Sequence, residues 1–109
     1  LHCVTRRQRQ MCIRDSARVA SLELGSYGVR VNVLHPDCVY DTGLWSDDLL
    51  QGRAEKYGMS VEAYKSRNIL KREVTSREVA EMVAAVAGPV FLKTTGAQIP
   101  IDGGNDRVI

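Results

Sequence analysis

Thiols and imidazoles could supply nitrogen and sulfur ligands to a metal ion, and the sequence has five of them: His2, Cys3, Cys12, His35 and Cys38. Zinc sites built from such ligands place them in closely spaced pairs, usually two pairs per site. Neither the spacing of Cys3 and Cys12 nor that of His35 and Cys38 forms such a pair, and two of the three cysteines lie within residues 1–16. A metal-binding module is therefore an alternative hypothesis rather than the leading one.

A polar loop directly after an apolar segment is the stronger candidate for a site. Residues 29–34 alternate valines with Arg30, Asn32 and Leu34, a period of two that is typical of a strand. Pro36 has no N–H to donate, so strand pairing should end there. Open α/β sheets bind ligands beyond the carboxyl ends of their strands. The irregular loop over residues 37–45 is thus the predicted ligand-binding segment.

Helical signals lie on both sides of this strand. Residues 17–24 read as the end of a helix, with Gly25 as its left-handed cap. Ser46 and Ser60 are typical N-caps, which predicts helices over about 47–57 and 61–68. Thr75 and Glu78 have the spacing of a capping box. One face of the helix behind them is apolar, with Val79, Met82, Val83 and Val86.

A second strand is predicted over residues 97–101. Pro100 favours an edge position for it, because its missing N–H must face away from the ladder. Asp102, Gly103 and Gly104 then form a turn. The order of helix, strand, helical excursion, helix and strand predicts a piece of a parallel α/β layer.

Composition fits one small globular domain, with 109 residues, 44% hydrophobic and 26% charged. The net charge of +2 comes from residues 1–16, which carry +3 while the remainder carries −1. The basic bias therefore indicates no nucleic-acid partner, and no apolar run is long enough to indicate a membrane span. Three scattered cysteines give no disulfide framework and favour a cytoplasmic location.

Residues 1–16 show neither helical nor strand periodicity. Met11–Ser16 resembles the translation of an adapter used in sequencing libraries, so residues 1–16 are predicted to be a non-native assembly segment. The alternative is a basic arm that uses Arg6, Arg7 and Arg9. The domain proper then covers residues 17–109.

Several short motifs, taken in order, resemble the C-terminal half of a short-chain dehydrogenase/reductase: Leu22–Gly25, Gly28–Asn32, Pro36, Thr95–Gly96 and Ile101–Gly104. The resemblance covers residues 17–109. It implies an α/β fold, the C-terminal fragment of a Rossmann-type doubly wound parallel sheet. Residues 29–34 would be its sixth strand, residues 97–101 its seventh strand at the edge, and residues 41–73 the substrate-loop excursion.

A narrower resemblance rests on residues 35–39, 43–45 and 94–98. These segments are similar to the dehydrogenase half of bifunctional rhamnulose-phosphate aldolase/short-chain dehydrogenase proteins, where Asp37 replaces the glycine usual in the family. The resemblance implies NAD or NADP as cofactor and a small hydroxy or carbonyl substrate, such as the lactaldehyde of rhamnose catabolism. It also implies a homo-oligomeric parent with an upstream aldolase domain.

The same resemblance implies roles for individual residues of the loop. Pro36, Asp37, Cys38, Val39 and Thr42 would contact the nicotinamide side of the cofactor, with Leu44 and Trp45 in the substrate loop. Thr42 lies one residue later than the family spacing, and a helix-capping role is its alternative. An inert buried thiol is the alternative for Cys38, and Trp45 could simply pin the loop.

Other parts of the reaction are missing from these residues. No glycine-rich phosphate turn occurs, and the family's catalytic tyrosine and lysine would fall at Arg6 and Gln10. Tyr64 and Lys65 are adjacent and are predicted to lie on an exposed helix face. No catalytic residue is therefore assigned, and the fragment alone is predicted to be inactive.

A non-catalytic interaction domain is the alternative function. It would dock through the helices over residues 46–68, while a half-built sheet exposes apolar surface. Arg30 and Asn32 are predicted to be structural, with hydrogen bonds to neighbouring backbone.

Overall fold

The computed structural model describes residues 6–104, with side chains from Cys12 onward. The elements follow one another as α1 (Arg6–Leu24), β1 (Val33–Pro36), α2 (Asp47–Lys56), α3 (Val61–Lys65), α4 (Ser76–Ala87) and β2 (Gln98–Ile101). Short 3-10 turns lie at Gly25–Tyr27 and Pro89–Phe91. Across residues 6–104, none of the helices combines the length and the apolar character needed to cross a membrane.

The two strands pair with each other in parallel. The Val33 N–H donates to the Ala97 carbonyl at 2.9 Å, and the Asp37 N–H donates to the Ile101 carbonyl at 3.2 Å. Both partners advance together along the chain, which is the parallel register. Three helices lie in the crossover between the strands, as parallel strands require. The predicted α/β class and the side-by-side strands are confirmed.

The strand boundaries differ from the prediction, because β1 covers Val33–Pro36 rather than residues 29–34. The Val31 N–H donates to the Thr95 hydroxyl at 3.0 Å, and the Val31 carbonyl accepts from the Gly96 N–H at 2.7 Å. Val31 therefore bonds to residues that precede β2, and strand pairing begins only at Val33. The alternation of residues 29–34 predicts extended backbone, but it does not show which of these residues pair with the second strand.

The first helix also differs from the prediction. It starts at Arg6, although residues 1–16 show no helical periodicity. The left-handed position is Gly28, with φ of 75°, because a 3-10 turn follows the helix and delays its cap. Whether residues 1–16 are non-native stays a prediction. Cys12 is disulfide-bonded, which departs from the expectation of no disulfide, whereas Cys38 is a buried free thiol.

Local capping chemistry was predicted correctly. Ser46 and Ser60 each accept a backbone N–H three residues on, at 3.2 Å. Thr75 and Glu78 form the reciprocal capping box of α4. The third helix is shorter than predicted and ends at Lys65. Asn68 lies beyond it and bonds to the main chain of Arg72 instead of continuing the helix.

The chain forms two compact units. Among the described residues, the first comprises residues 6–34 with 85–99, and the second comprises His35–Ala84 with residues 100–104. In the first unit, the Arg30 guanidinium donates to three carbonyls and the Asn32 amide bonds to Thr94 and Ala97. Their predicted structural roles are confirmed. The core of the second unit contains Cys38, Tyr40, Leu50, Ala54 and Tyr64.

Candidate functional site

The turn after β1 is fixed by hydrogen bonds on both of its sides. The Asp37 carboxylate accepts the Cys38 N–H at 2.9 Å, while the Asp37 N–H donates to Ile101. Cys38 has φ of 61°, a left-handed conformation that is uncommon for a residue with a side chain. Non-glycine residues in this region tend to cluster at functional sites. Pro36, Asp37 and Cys38 thus form one defined turn at the carboxyl end of the strand.

After this turn, the chain passes through the core of the second unit at Tyr40 and returns to the surface at Thr42. Val39 forms a parallel bridge with Val74, and Tyr40 is buried. Thr42 is exposed, and its carbonyl accepts the Trp45 N–H at 3.1 Å, which closes a turn. Leu44, at the tip of that turn, is 78% exposed.

The residue between Tyr40 and Thr42 has a structural role that sequence reasoning missed. The Asp41 carboxylate accepts the Ser76 N–H at 3.0 Å and the Ser76 hydroxyl at 3.1 Å. A carboxylate in this position satisfies a free N–H at the start of α4 and suits the helix dipole. The loop is therefore tied to α4 next to the predicted site residues.

Aromatic packing holds the substrate-loop tryptophan. The Tyr40 and Trp45 ring centroids are 4.8 Å apart in an edge-on arrangement, and the Tyr40 and Tyr64 centroids are 5.5 Å apart. Trp45 also packs partly buried against the core. This contact supports the loop-pinning alternative for Trp45, and it leaves Leu44 as the freer of the two predicted substrate-loop residues.

Electrostatics make the Cys38 thiol a poor nucleophile. Burial raises the pKa of Cys38, and a hydrogen bond with Tyr40 offsets only part of that rise. Burial also raises the pKa of Tyr40, and its bond to Cys38 adds to the shift. A reactive cysteine needs a thiolate, which a buried site opposes. The geometry therefore supports the inert-thiol alternative for Cys38, with a packing role beneath the turn.

One sequence expectation about chemistry has a clear structural outcome. Tyr64 is 2% exposed, so the predicted exposed face is wrong for this residue. The reason is that its ring completes the aromatic core, while Lys65 pairs with Glu73 at 3.6 Å. His2 and Cys3 lie outside the described residues, and within residues 6–104 no group of three or more potential ligands could hold a metal ion.

Comparison with known proteins decides the family. A family model described as enoyl-(acyl carrier protein) reductase matches residues 10–106. A solved short chain dehydrogenase family protein from Francisella tularensis subsp. tularensis SCHU S4 is 31% identical, with a TM-score of 0.72 over 89% of this chain and 41% of that chain. The chain belongs to the short-chain dehydrogenase/reductase family. Members of this family generally use NAD(P).

The matched dehydrogenases are longer than this chain. The uncharacterized oxidoreductase YuxG of Bacillus subtilis (strain 168) is 34% identical over an alignment of 93 residues that covers 81% of this chain and 14% of that protein. The short chain dehydrogenase/reductase astE of Aspergillus oryzae is 32% identical over 93 residues, covering 84% of this chain and 33% of that protein. The chain thus spans a third or less of these two relatives.

Proposed function

We propose that this chain is the C-terminal part of an NAD(P)-dependent oxidoreductase that acts on a small hydroxy or carbonyl compound. The observation that carries the proposal is the parallel β1–β2 pair, which ends in the fixed turn at residues 36–38. Ligands of open α/β sheets bind beyond that end of the strands. A turn held on both sides can present backbone groups to a cofactor without reorganising.

The residue roles follow from this placement. The turn at Pro36, Asp37 and Cys38, with the following Val39 and the exposed Thr42, would contact the nicotinamide carboxamide. Leu44 and Trp45 would border the substrate, with Trp45 held by Tyr40. The cofactor supplies the hydride when it is bound, and the protein's share is to orient it and the substrate.

The chain by itself is proposed to be inactive. Its 109 residues contain no glycine-rich phosphate turn and no tyrosine followed by a lysine at the family spacing. A cofactor would therefore lack its pyrophosphate cradle, and a carbonyl substrate would lack its proton donor. We place the active parent in the cytoplasm as a homo-oligomer.

The length of one relative supports a two-domain parent. Since 93 matched residues make up 14% of YuxG, that protein is roughly 650 residues long, whereas 33% gives roughly 280 residues for astE. The larger length leaves room for at least one further domain. An upstream aldolase domain and a role in rhamnose catabolism, with lactaldehyde as substrate, are the finer form of the proposal.

The decisive experiment is to recover the upstream coding sequence and express the longer protein beside this chain. NADH and NADPH oxidation would be measured with lactaldehyde and with a panel of small aldehydes, ketones and oxo acids. We expect turnover by the longer protein only. Turnover by the 109-residue chain at a comparable rate would refute its inactivity. No nicotinamide-dependent turnover by the longer protein would refute the proposed function.

A non-catalytic interaction domain remains the second candidate. The first unit exposes large apolar side chains, among them Tyr27 and Val90, at 80% and 86%. Such surface can bind a partner or a second copy of the chain.

A further inference from the structure

Arg67 lies in the second unit, just after α3, in an unusual setting for an exposed arginine. Its guanidinium carbon is 4.4 Å from the centroid of the Tyr64 ring and 5.4 Å from that of Tyr57. These two rings stack with centroids 6.0 Å apart. The Tyr40 hydroxyl lies close enough to the guanidinium to raise the pKa of Arg67. Two tyrosine rings therefore pack against a planar cation and restrict its orientation.

No carboxylate among the described side chains forms an ion pair with Arg67. The surrounding segment over residues 65–72 has four cations and no acidic residue: Lys65, Arg67, Lys71 and Arg72. Within the described part of the chain, Lys65 is the member of this set with an ion pair, to Glu73. A guanidinium carries five N–H donors, so Arg67 can offer several of them to an acceptor.

The position of Arg67 connects it to the candidate site. Tyr40, which raises the pKa of Arg67, also interacts with Cys38 of the turn after β1. The same tyrosine ring packs against Trp45 of the predicted substrate loop. A single side chain thus separates Arg67 from both groups of predicted site residues.

We propose that Arg67 binds an anionic group of the substrate, either a carboxylate or a phosphate. A planar guanidinium accepts two oxygens of such a group side by side, and its fixed orientation reduces the entropy lost on binding. This inference rests on the proposed function and narrows its substrate class. Hydroxy acids, oxo acids or phosphorylated carbonyl compounds should be preferred over neutral lactaldehyde.

The binding test uses the 109-residue chain and its single tryptophan, Trp45. Sodium acetate and sodium phosphate would be titrated against sodium chloride at constant ionic strength, with Trp45 fluorescence as the signal. We expect a saturable change with one of the two anions, and the anion that produces it identifies the preferred group. No saturable change with either would overturn the inference.

Three variants make the test specific. Arg67→Gln should weaken anion binding about tenfold or more, since it removes charge-assisted hydrogen bonds. Arg67→Lys keeps the charge but loses the planar fork, so an intermediate loss is expected. Arg53→Gln is the control: it removes an exposed arginine on α2, and this variant should bind the anion as tightly as the wild type does. Equal titrations of Arg67→Gln and the wild type would overturn the inference.

Kinetics of the longer protein separate this inference from the proposed function. In that protein Arg67→Gln should raise KM about tenfold for an oxo acid or a phosphorylated aldehyde, and leave kcat and the kinetics with lactaldehyde unchanged. An equal rise of KM for lactaldehyde would overturn the role of Arg67. If no carbonyl compound is turned over, the proposed function fails, while the fluorescence titration still decides whether Arg67 binds anions.

Discussion

Asn68 and Gly103 show how one buried amide determines the turn after β2. Asn68 is fully buried, donates to the Arg72 carbonyl at 2.6 Å and accepts the Arg72 N–H at 3.1 Å. Gly103 lies directly against it, with φ of 66°. A Cβ at this position would overlap the Asn68 amide, so glycine is required for two independent reasons.

A matched pair of alanine substitutions separates these two reasons. Gly58 has φ of 65°, but a Cβ there would meet nothing within 4 Å. Gly58→Ala should therefore lose only the backbone term, about 1–2 kcal/mol of unfolding free energy. Gly103→Ala should lose about 1–3 kcal/mol more because it must displace Asn68. Urea unfolding measures both, and equal losses would contradict the contact.

At the same scale, the sequence predicted the turn residues better than the aromatic cluster. Asp102–Gly104 was predicted as turn chemistry, and the Asp102 carboxylate does accept the Gly104 N–H at 2.8 Å. The contact between Tyr40 and Tyr64 joins residues that are 24 positions apart in the chain, so no local pattern predicts it. The sequence predicts Tyr64 on an exposed helix face, yet tertiary packing buries it.

At the scale of elements, α4 has both of its ends defined by side chains. Glu78 accepts the Thr75 N–H at 3.0 Å at the start of the helix. This bond, followed by that from the Thr75 hydroxyl, lowers the pKa of Glu78. A carboxylate whose pKa is lower in the folded chain than in the unfolded chain stabilises the fold at any pH above its unfolded pKa. This stabilisation is lost as the pH falls through the folded pKa.

The prediction compares the wild type with Glu78→Gln. The variant should be less stable at neutral pH, because it loses the charge that strengthens both bonds and suits the helix dipole. The difference should shrink as the pH falls below about 4.5, the ordinary value for this carboxyl. Urea midpoints between pH 7 and pH 3 measure it. In a Thr75→Ala background, the loss of stability that Glu78→Gln causes at pH 7 should be smaller. A loss that depends neither on the pH nor on the presence of Thr75 would contradict the capping box.

Arg30 determines the other end of α4. Its guanidinium donates to the carbonyls of Val86 and Phe91 at 2.9 Å and of Ala87 at 3.1 Å. A cation there satisfies carbonyls that the helix leaves free and matches the negative end of its dipole.

Arg30→Met should lower the unfolding free energy by about 1–3 kcal/mol, because three carbonyls lose a charged donor. Arg30→Lys keeps the charge but cannot reach three acceptors with a planar fork, so its loss should be intermediate. Arg53→Met, an exposed arginine on α2, is the control and should change stability by less than about 0.5 kcal/mol. An Arg30→Met variant as stable as this control would contradict the role of the fork.

Helix starts are predicted better than strand boundaries because they depend on residues that are closer in the sequence. The caps at Ser46, Ser60 and Thr75 depend on residues within one turn, so the sequence predicted them. The register of β1 depends on Ala97 and Ile101, about sixty residues away, and the prediction starts the strand four residues too early and ends it two residues too early. Local patterns predict the type of element, whereas boundaries of paired strands depend on the partner.

At the scale of the whole molecule, the first unit exposes much apolar surface. The side chains of Leu22, Tyr27, Val29, Val90 and Leu92 are all exposed. Val29 and Leu92 line one shallow cavity of about 240 Å³. Parallel sheets are normally covered on both faces, and two strands with few helices cannot bury enough surface to do so. We therefore expect the isolated chain to associate with itself.

The expected association is concentration-dependent and depends on the first unit. Light scattering and sedimentation velocity should show a mean mass above that of the monomer, which rises with concentration. Val90→Gln combined with Leu92→Gln should lower it, because burying each of these side chains between copies would stabilise the associated state. Leu44→Gln removes an equally exposed leucine from the second unit and should change the association little. A chain that is monomeric at every concentration would contradict the exposed-surface argument. If Leu44→Gln lowered the mean mass as much as the Val90→Gln and Leu92→Gln double variant does, the association would be due to general apolar exposure and not to the first unit.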